Sequence, residues 1–406
     1  MRILFLSDNF PPESNALTAR LYEHAQYWID LGHEVTVVTC APNFPEGKLF
    51  SGYRNRWRQI EVMGGIRVVR VKTYMTENKG FVKRTLDFVS FMVMGTFFAL
   101  FEREPDVVVA TSPQFFCAVG GWLVAALRRK PFVLEIRDLW PESIVAVGAM
   151  PRNVLIRLFE VVERFIYWRA TAIIAVTQGI HDGICGKGVR KEKVHLIGNG
   201  VDLRRYRPMP PDSEIIKKYD LENKFVVGFL GTHGLAYALD MIIDMASALR
   251  DRCNIAFVFV GAGIERARIE NLAAQRQLSN VRMIPRQPGE LMPHMWSVCN
   301  LALVPLRKSS FFQMTRPAKI FEAMGMGIPI LFSGVPGEAS RIVSESGAGV
   351  CLAAEDVEAH VAAICKLVDD SPAMSRMRLA ASSAATNYSR KSLAEKMALI
   401  MTEVQK

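Results

Sequence analysis

Short, β-rich apolar runs punctuate the chain at residues 2–7, 35–40, 66–71, 106–110, 132–136 and 172–176, and a second series follows at 225–230, 255–260, 281–284, 301–304, 329–332 and 350–352. Between them lie stretches of helical period. In 17–31, Leu21, Ala25, Trp28 and Leu31 recur on one face before Gly32-His33 ends the pattern. Strands alternating with helices almost from end to end predict parallel sheets with crossover helices, so the chain reads as α/β with two doubly wound domains. The two series part at Ile197-Gly198-Asn199-Gly200-Val201-Asp202, where an apolar strand meets an Asn-Gly turn and then polar chain carrying Pro208, Pro210 and Pro211. This predicts a first domain at 1–197, a linker at 198–211 and a second domain at 212–386, with a last helix opening near Tyr388-Ser389-Arg390 and ending near Glu403.

At 406 residues, each half is large enough to bury its own core. The net charge of +10 implies attraction to an anion, whether nucleic acid, acidic lipid or a diphosphate. Much of the excess lies in the first half. Arg54, Arg56 and Arg58 flank Trp57, and Lys79, Lys83 and Arg84 precede the apolar run 88–101. That mixture suits a lipid-facing surface better than a nucleic-acid groove, while the length of the run equally suits a buried helix. No segment has the roughly 20 apolar residues of a spanning helix, and Met1-Arg2 leads straight into a strand rather than a secretion signal, so the expectation is a soluble or peripheral protein. Cys40, Cys117, Cys185, Cys253, Cys299, Cys351 and Cys365 form no C-x-x-C pair and read as buried free thiols of a reducing cytosol. The seven histidines lack H-x-x-x-H spacing and no D-x-D occurs, which gives metal chemistry little support. Neither Walker A nor Gly-x-Ser-x-Gly is present, against ATPase and hydrolase readings.

The densest chemistry lies in Arg316-Pro317-Ala318-Lys319-Ile320-Phe321-Glu322-Ala323-Met324-Gly325. Thr315 or Arg316 stands where a helix begins, Pro317 suits its first turn, and the unpaired N–H groups there attract anions. Lys319 and Glu322, three residues apart, share a face. Glu322 lies in an apolar segment where an unpaired carboxylate is costly, so a partner is expected. Gly231-Thr232-His233-Gly234 directly follows the run 225–230, at the end of a strand where α/β folds bind ligands. Arg286 follows 281–284 in the same way. In the first half, Glu135-Ile136-Arg137-Asp138-Leu139-Trp140-Pro141-Glu142 clusters charge at a strand end, and Ser14, in the loop before the first helix, is a candidate cap beside Asn15.

These segments resemble the retaining glycosyltransferases of family 4, which have two Rossmann-like domains facing a cleft (GT-B type). Pro317-x-Lys319-x-x-Glu322 and Arg137-Asp138-Leu139-Trp140-Pro141-Glu142 are similar to a bacterial subset that builds colanic-acid-like and O-antigen polysaccharides, fucosamine-type transferases among them. The family's first site acid is replaced by Met314, its Arg–Lys pair after the donor loop is absent, and Gly198 stands for the proline of its hinge. The resemblance implies a last helix crossing back, so that 387–406 completes the first, acceptor-binding domain. It implies a donor site of Gly231, Thr232, His233, Gly234, Arg286, Thr315, Pro317, Ala318, Lys319 and Glu322, and an acceptor region of Ser14, Asn15, Arg137, Asp138 and Glu142. Asp138, Lys319 and Glu322 would carry the chemistry. The implied activity moves an N-acetylated deoxyhexose or hexosamine from a UDP-sugar to a polyprenyl-diphosphate-linked saccharide, at the cytosolic face of an inner membrane, without a metal or other cofactor and without nucleic acid. The rival readings are a non-hydrolysing UDP-sugar epimerase and a catalytically silent donor-binding partner of a membrane assembly.

Overall fold

The computed structural model describes the chain apart from residues 14, 45, 77–80, 113, 147–150 and 406. Among the described residues, the first strands are β1 (Arg2–Leu6), β2 (Glu34–Cys40), β3 (Arg58–Met63), β4 (Ile66–Val71), β5 (Val107–Thr111), β6 (Phe132–Ile136), β7 (Ala172–Ala175) and β8 (Val194–Leu196). They form one sheet in the order β3-β4-β2-β1-β5-β6-β7-β8, parallel except for β3, which runs against β4 at the edge. Successive side chains of a strand point to opposite faces, and both faces of this sheet are covered. Ile3 and Phe5 share a core with Leu21, Ala25 and Trp28 of the helix Ala16–Asp30. Leu4 and Leu6 enter another, with Phe91 of the helix Phe81–Ala99, Val124 of Phe115–Arg128 and Ile166 of Val154–Arg169.

The second sheet holds β9 (Phe225–Leu230), β10 (Ile255–Val260), β11 (Val281–Ile284), β12 (Leu301–Pro305), β13 (Ile330–Ser333) and β14 (Gly349–Leu352), all parallel, in the order β11-β10-β9-β12-β13-β14. Val226 and Leu230 face a core shared with Trp296, Phe321 and Met324, while Val227 and Phe229 face one shared with Ile242, Ile243 and Ile364.

The chain divides into two compact units, Met1–Gly198 with Arg390–Lys406, and Asn199–Ser389. The helix Arg390–Glu403 belongs to the first. Its Leu393, Met397 and Met401 join the core around Trp28, whose indole Nε1 donates to the Ala394 carbonyl at 3.0 Å, and Arg390 pairs with the buried Glu23 at 2.7 Å. The stretch 198–211, expected as a linker, is built mostly into the second unit. Asn199 Nδ2 donates to the Arg316 carbonyl at 3.3 Å, Val201 N to the Tyr388 carbonyl at 3.0 Å, and Tyr206 is a core residue. Of the cysteines expected to be buried, Cys40, Cys117 and Cys299 are, Cys185, Cys351 and Cys365 are half-buried, and Cys253 is exposed in a turn before β10. No helix among the described residues is long and apolar enough to cross a membrane.

Candidate active site

In the second sheet the strand order reverses between β9 and β12, so the loops leaving their carboxyl ends diverge and open a crevice. Gly231 follows β9 with φ +124°, a conformation that favours glycine. The loop is seated on a second one after β10. Gly231 N donates to the Val260 carbonyl at 2.8 Å, His233 N to Ala262 at 2.9 Å, and Glu265 N to the His233 carbonyl at 3.1 Å. A Cβ on Gly261 would stand 1.9 Å from the Gly231 oxygen, and one on Gly263 2.3 Å from that of His233, so both positions need glycine for the loops to meet. The amides of Thr232 and Gly234 have no partner among the described residues, and Thr232 is exposed. This alternation, with amides 231 and 233 bound inward and 232 and 234 left free, makes an anion cradle. The His233 side chain takes no part in it: the ring is fully buried between Phe229 and Phe259, both nitrogens lack partners, and burial pulls it down to about 4, helped by Arg266 and Lys319.

Lys319 reaches the same loop from the helix Ala318–Gly325. It is 6% exposed, and a Cβ on Gly231 would lie 3.5 Å from its Nζ. The ammonium sits 3.8 Å from the Tyr237 ring centre and 4.6 Å from that of Phe229, and no carboxylate pairs with it among the described residues. Two aromatic faces hold the cation, leaving its charge for an anion. Pro317 occupies the cap of this helix, one place before the first turn expected for it, and Ile320 N donates back to its carbonyl at 3.1 Å, which leaves the Ala318 and Lys319 amides without described partners. Thr315 ends the preceding 3₁₀ turn, its N–H bonded to the Phe312 carbonyl at 3.1 Å. Glu322 has a partner inside the protein: Trp296 Nε1 donates to its Oε2 at 3.0 Å. Arg286 is exposed beyond β11. Met314 is exposed at the end of its turn, and Arg316 is tied to Glu338 at 2.5 Å.

In the first unit the segment after β6 splits by role. Arg20 pairs with Glu135 at 2.6 Å and donates to the carbonyls of Ile197 and Gly198, all buried, fixing the strand end from which Arg137 and Asp138 project. Arg137 has a buried Nη1 without a partner, and lost hydration lowers it to about 10 despite Glu135. Asp138 reaches solvent, yet the chain around it withdraws enough water to raise its carboxyl above the ordinary range, with Arg137 opposing. Glu142, expected in the acceptor region, is exposed and pairs with Lys187 at 3.1 Å, and Lys187 also holds Glu163. Trp140 stacks on Phe115 at 4.5 Å, so the aromatic of this motif is an anchor. The cap of the first helix falls on Asn15, whose Oδ1 accepts from Thr18 N and Thr18 Oγ1 at 2.8 Å each, and Ser14 lies outside the described residues. In the basic patch expected near Trp57, Arg58 pairs with Glu102, which Arg67 also reaches, while Arg54 and Arg56 are exposed and Lys72 lies over the Trp57 ring. Lys79 is outside the described residues. Sequence reasoning missed Gly261, Gly263, Tyr237, Trp296 and the Arg20–Glu135 pair; of these, only the Gly-x-Gly after the run 255–260 carried a local signal.

A strand-order switch, free loop amides and a lysine that no carboxylate pairs with among the described residues make the arrangement in which α/β units bind anions. Residues 15–200 match the glycosyl transferase 4-like domain and residues 224–370 the glycosyl transferases group 1 family, and the chain belongs to these two-domain (GT-B) glycosyltransferases. It is 27% identical over 374 residues, 90% of this chain and 91% of the relative, to the putative colanic acid biosynthesis glycosyl transferase WcaI of Escherichia coli K12. In fold it is similar to the sucrose-phosphate synthase of Thermosynechococcus elongatus, with TM-score 0.77, 15% identity and 99% and 98% of the two chains covered. It is likewise similar to Anabaena HepE in complex with UDP and glucose, with TM-score 0.72, 18% identity and coverage of 99% and 100%.

Proposed function

We propose that this glycosyltransferase moves a sugar, an N-acetylated deoxyhexose or hexosamine, from a UDP-sugar to a polyprenyl-diphosphate-linked saccharide of a bacterial surface polysaccharide, with retention at the anomeric carbon and without a metal. The observation that carries the reading is the buried Lys319 beside the Gly231 loop, with no carboxylate among the described residues to neutralise its ammonium. A diphosphate supplies the missing charge. In the reaction the bond from the anomeric carbon to the donor phosphate oxygen breaks, the acceptor oxygen bonds to that carbon on the same face, and its proton passes to the departing diphosphate. Charge grows on that leaving group, so Lys319 and the free amides of Thr232 and Gly234 act where the transition state needs them. Glu322 binds the ribose hydroxyls, Arg286 borders the base, and Asp138 orients the acceptor hydroxyl with Arg137 beside it. The polysaccharide assignment leans on the colanic-acid relative, and the choice of UDP on the HepE complex.

A lipid-linked acceptor puts the enzyme at the cytosolic face of the inner membrane as a peripheral protein. The test combines thermal shift against a panel of UDP-sugars and GDP-sugars with transfer of labelled sugar to lipid-linked saccharide, with and without a chelator. The reading predicts stabilisation by one UDP-sugar and chelator-resistant transfer that retains the donor's anomeric configuration. Epimerised donor, binding without turnover, or preference for GDP-sugars refutes it.

A further inference from the structure

The helix Val154–Arg169 carries its polar and apolar faces in an unusual order. Ile156, Phe159, Ile166 and Tyr167 point into the core, and so does Glu163, held by Lys187 and the Tyr167 hydroxyl. Every residue exposed on the opposite side is either apolar or arginine. Leu158, Val161, Phe165 and Trp168 form a stripe at spacings of three and four, with Val161 64% and Trp168 71% exposed. Arg157 and Arg164 flank it and have no carboxylate partner among the described residues. Glu160, the remaining acid of the helix, is turned partly away and paired with Arg152 at 3.1 Å.

The stripe continues across the unit. Phe165 packs edge-on against Trp122 of Phe115–Arg128, which also packs beside Phe81–Ala99, and from that helix and its end Phe97 and Phe101 are exposed on the same side of the sheet. Apolar area of this extent on three neighbouring helices has an occupant.

We infer that the outward face of Val154–Arg169 is an interfacial helix that docks the first unit on an anionic lipid surface. Two features favour a bilayer. The apolar stripe bordered by unpaired arginines, with a tryptophan at its carboxyl end, is what a helix lying about 5–10 Å into the headgroup boundary requires. A second copy packed about a two-fold axis would set Arg157 and Arg164 against their equivalents, with the helix's one partly exposed acid, Glu160, already paired with Arg152. This inference rests on the reading of a lipid-linked acceptor, and it moves the lipid contact from the partly neutralised Arg58–Trp57 segment to a helix beyond it.

The test is co-sedimentation of the full chain with vesicles of phosphatidylcholine, alone or with about one-third phosphatidylglycerol, at low and high salt. Val161→Glu/Trp168→Glu alters exposed positions only, so its melting temperature and UDP affinity should match wild type while its partition into anionic vesicles falls at least about tenfold. Arg157→Gln/Arg164→Gln should lose partition into anionic vesicles alone, by about tenfold, with a weaker salt dependence. Equal vesicle binding by the Val161→Glu/Trp168→Glu variant, no binding by wild type at low salt, or a wild-type dimer that this variant converts to monomer overturns the inference. Transfer to a water-soluble, short-chain acceptor separates this from the parent reading: if the transferase reading is right, wild type and variant perform it alike whatever the vesicles show.

Discussion

Replacing Lys319 by methionine separates function from stability in sign. Methionine keeps an unbranched stem of similar length against Phe229 and Tyr237 and removes the charge. Without a bound ligand Lys319 is 6% exposed and no carboxylate pairs with it among the described residues, so its lost hydration, several kcal/mol, exceeds the roughly 2 kcal/mol returned by the two rings. The ligand-free Lys319→Met protein should therefore be more stable than wild type, by about 1–2 kcal/mol. UDP binding should move the other way. A charge-assisted contact to a diphosphate contributes about 1.5–3 kcal/mol, which corresponds to a loss of roughly 10- to 150-fold in affinity. Urea denaturation without ligand and calorimetric titration with UDP measure the two quantities on the same samples. Turnover should also fall further than affinity for the intact UDP-sugar, because charge grows on the diphosphate as its bond to the sugar breaks. A variant that is less stable and binds UDP as tightly as wild type would show Lys319 to be a structural clamp, and the argument for the diphosphate site would fail.

Glu322→Ala should weaken UDP binding and also cost the fold about 1–3 kcal/mol, because it strands the Trp296 indole N–H; Trp296→Phe should show the stability loss with a smaller binding loss, and identical binding losses in the two would assign Glu322 a structural role only. Asp138→Asn should spare UDP affinity and reduce transfer by at least about tenfold; turnover at the wild-type rate would reduce the residue to a neighbour of Arg137. His233 is held neutral in the folded state at about 4 against 6.5 unfolded, so its contribution is complete above pH 6.5 and is lost as pH falls through 4, by about 3 kcal/mol. Wild type should accordingly lose that much stability between pH 7 and 4 relative to His233→Phe, and parallel unfolding curves across the range would contradict the ring's isolation.

The two parallel sheets are legible because their strands are buried on both faces and stand out as apolar runs. β3 was invisible for the opposite reason: an edge strand with Arg58, Glu61 and exposed Ile60 and Val62 has no such run, and β8 is three residues long. In the site, Lys319, Glu322 and the Gly231 loop announce themselves by local spacing. Their partners do not, since Trp296 meets Glu322 from 26 residues away and Arg20 meets Glu135 across 115. Local pattern named Ser14 as a helix cap, and the cap falls on Asn15. Glu142 pairs with Lys187, which caps the carboxyl end of a later helix, a contact no local spacing shows.

The return of Arg390–Glu403 to the first unit imposes an order on biosynthesis. Until residues 390–401 have been made, Trp28, Leu21 and Glu23 face water or a chaperone, because the groups that cover and neutralise them do not yet exist. The second unit, uninterrupted from Asn199 to Ser389, has all its strands in hand earlier. Folding therefore finishes at the amino-terminal end last, the reverse of the usual vectorial sequence. A chain cut before Arg390 would carry a whole second unit joined to a first unit with an open apolar seam along Leu21 and Trp28.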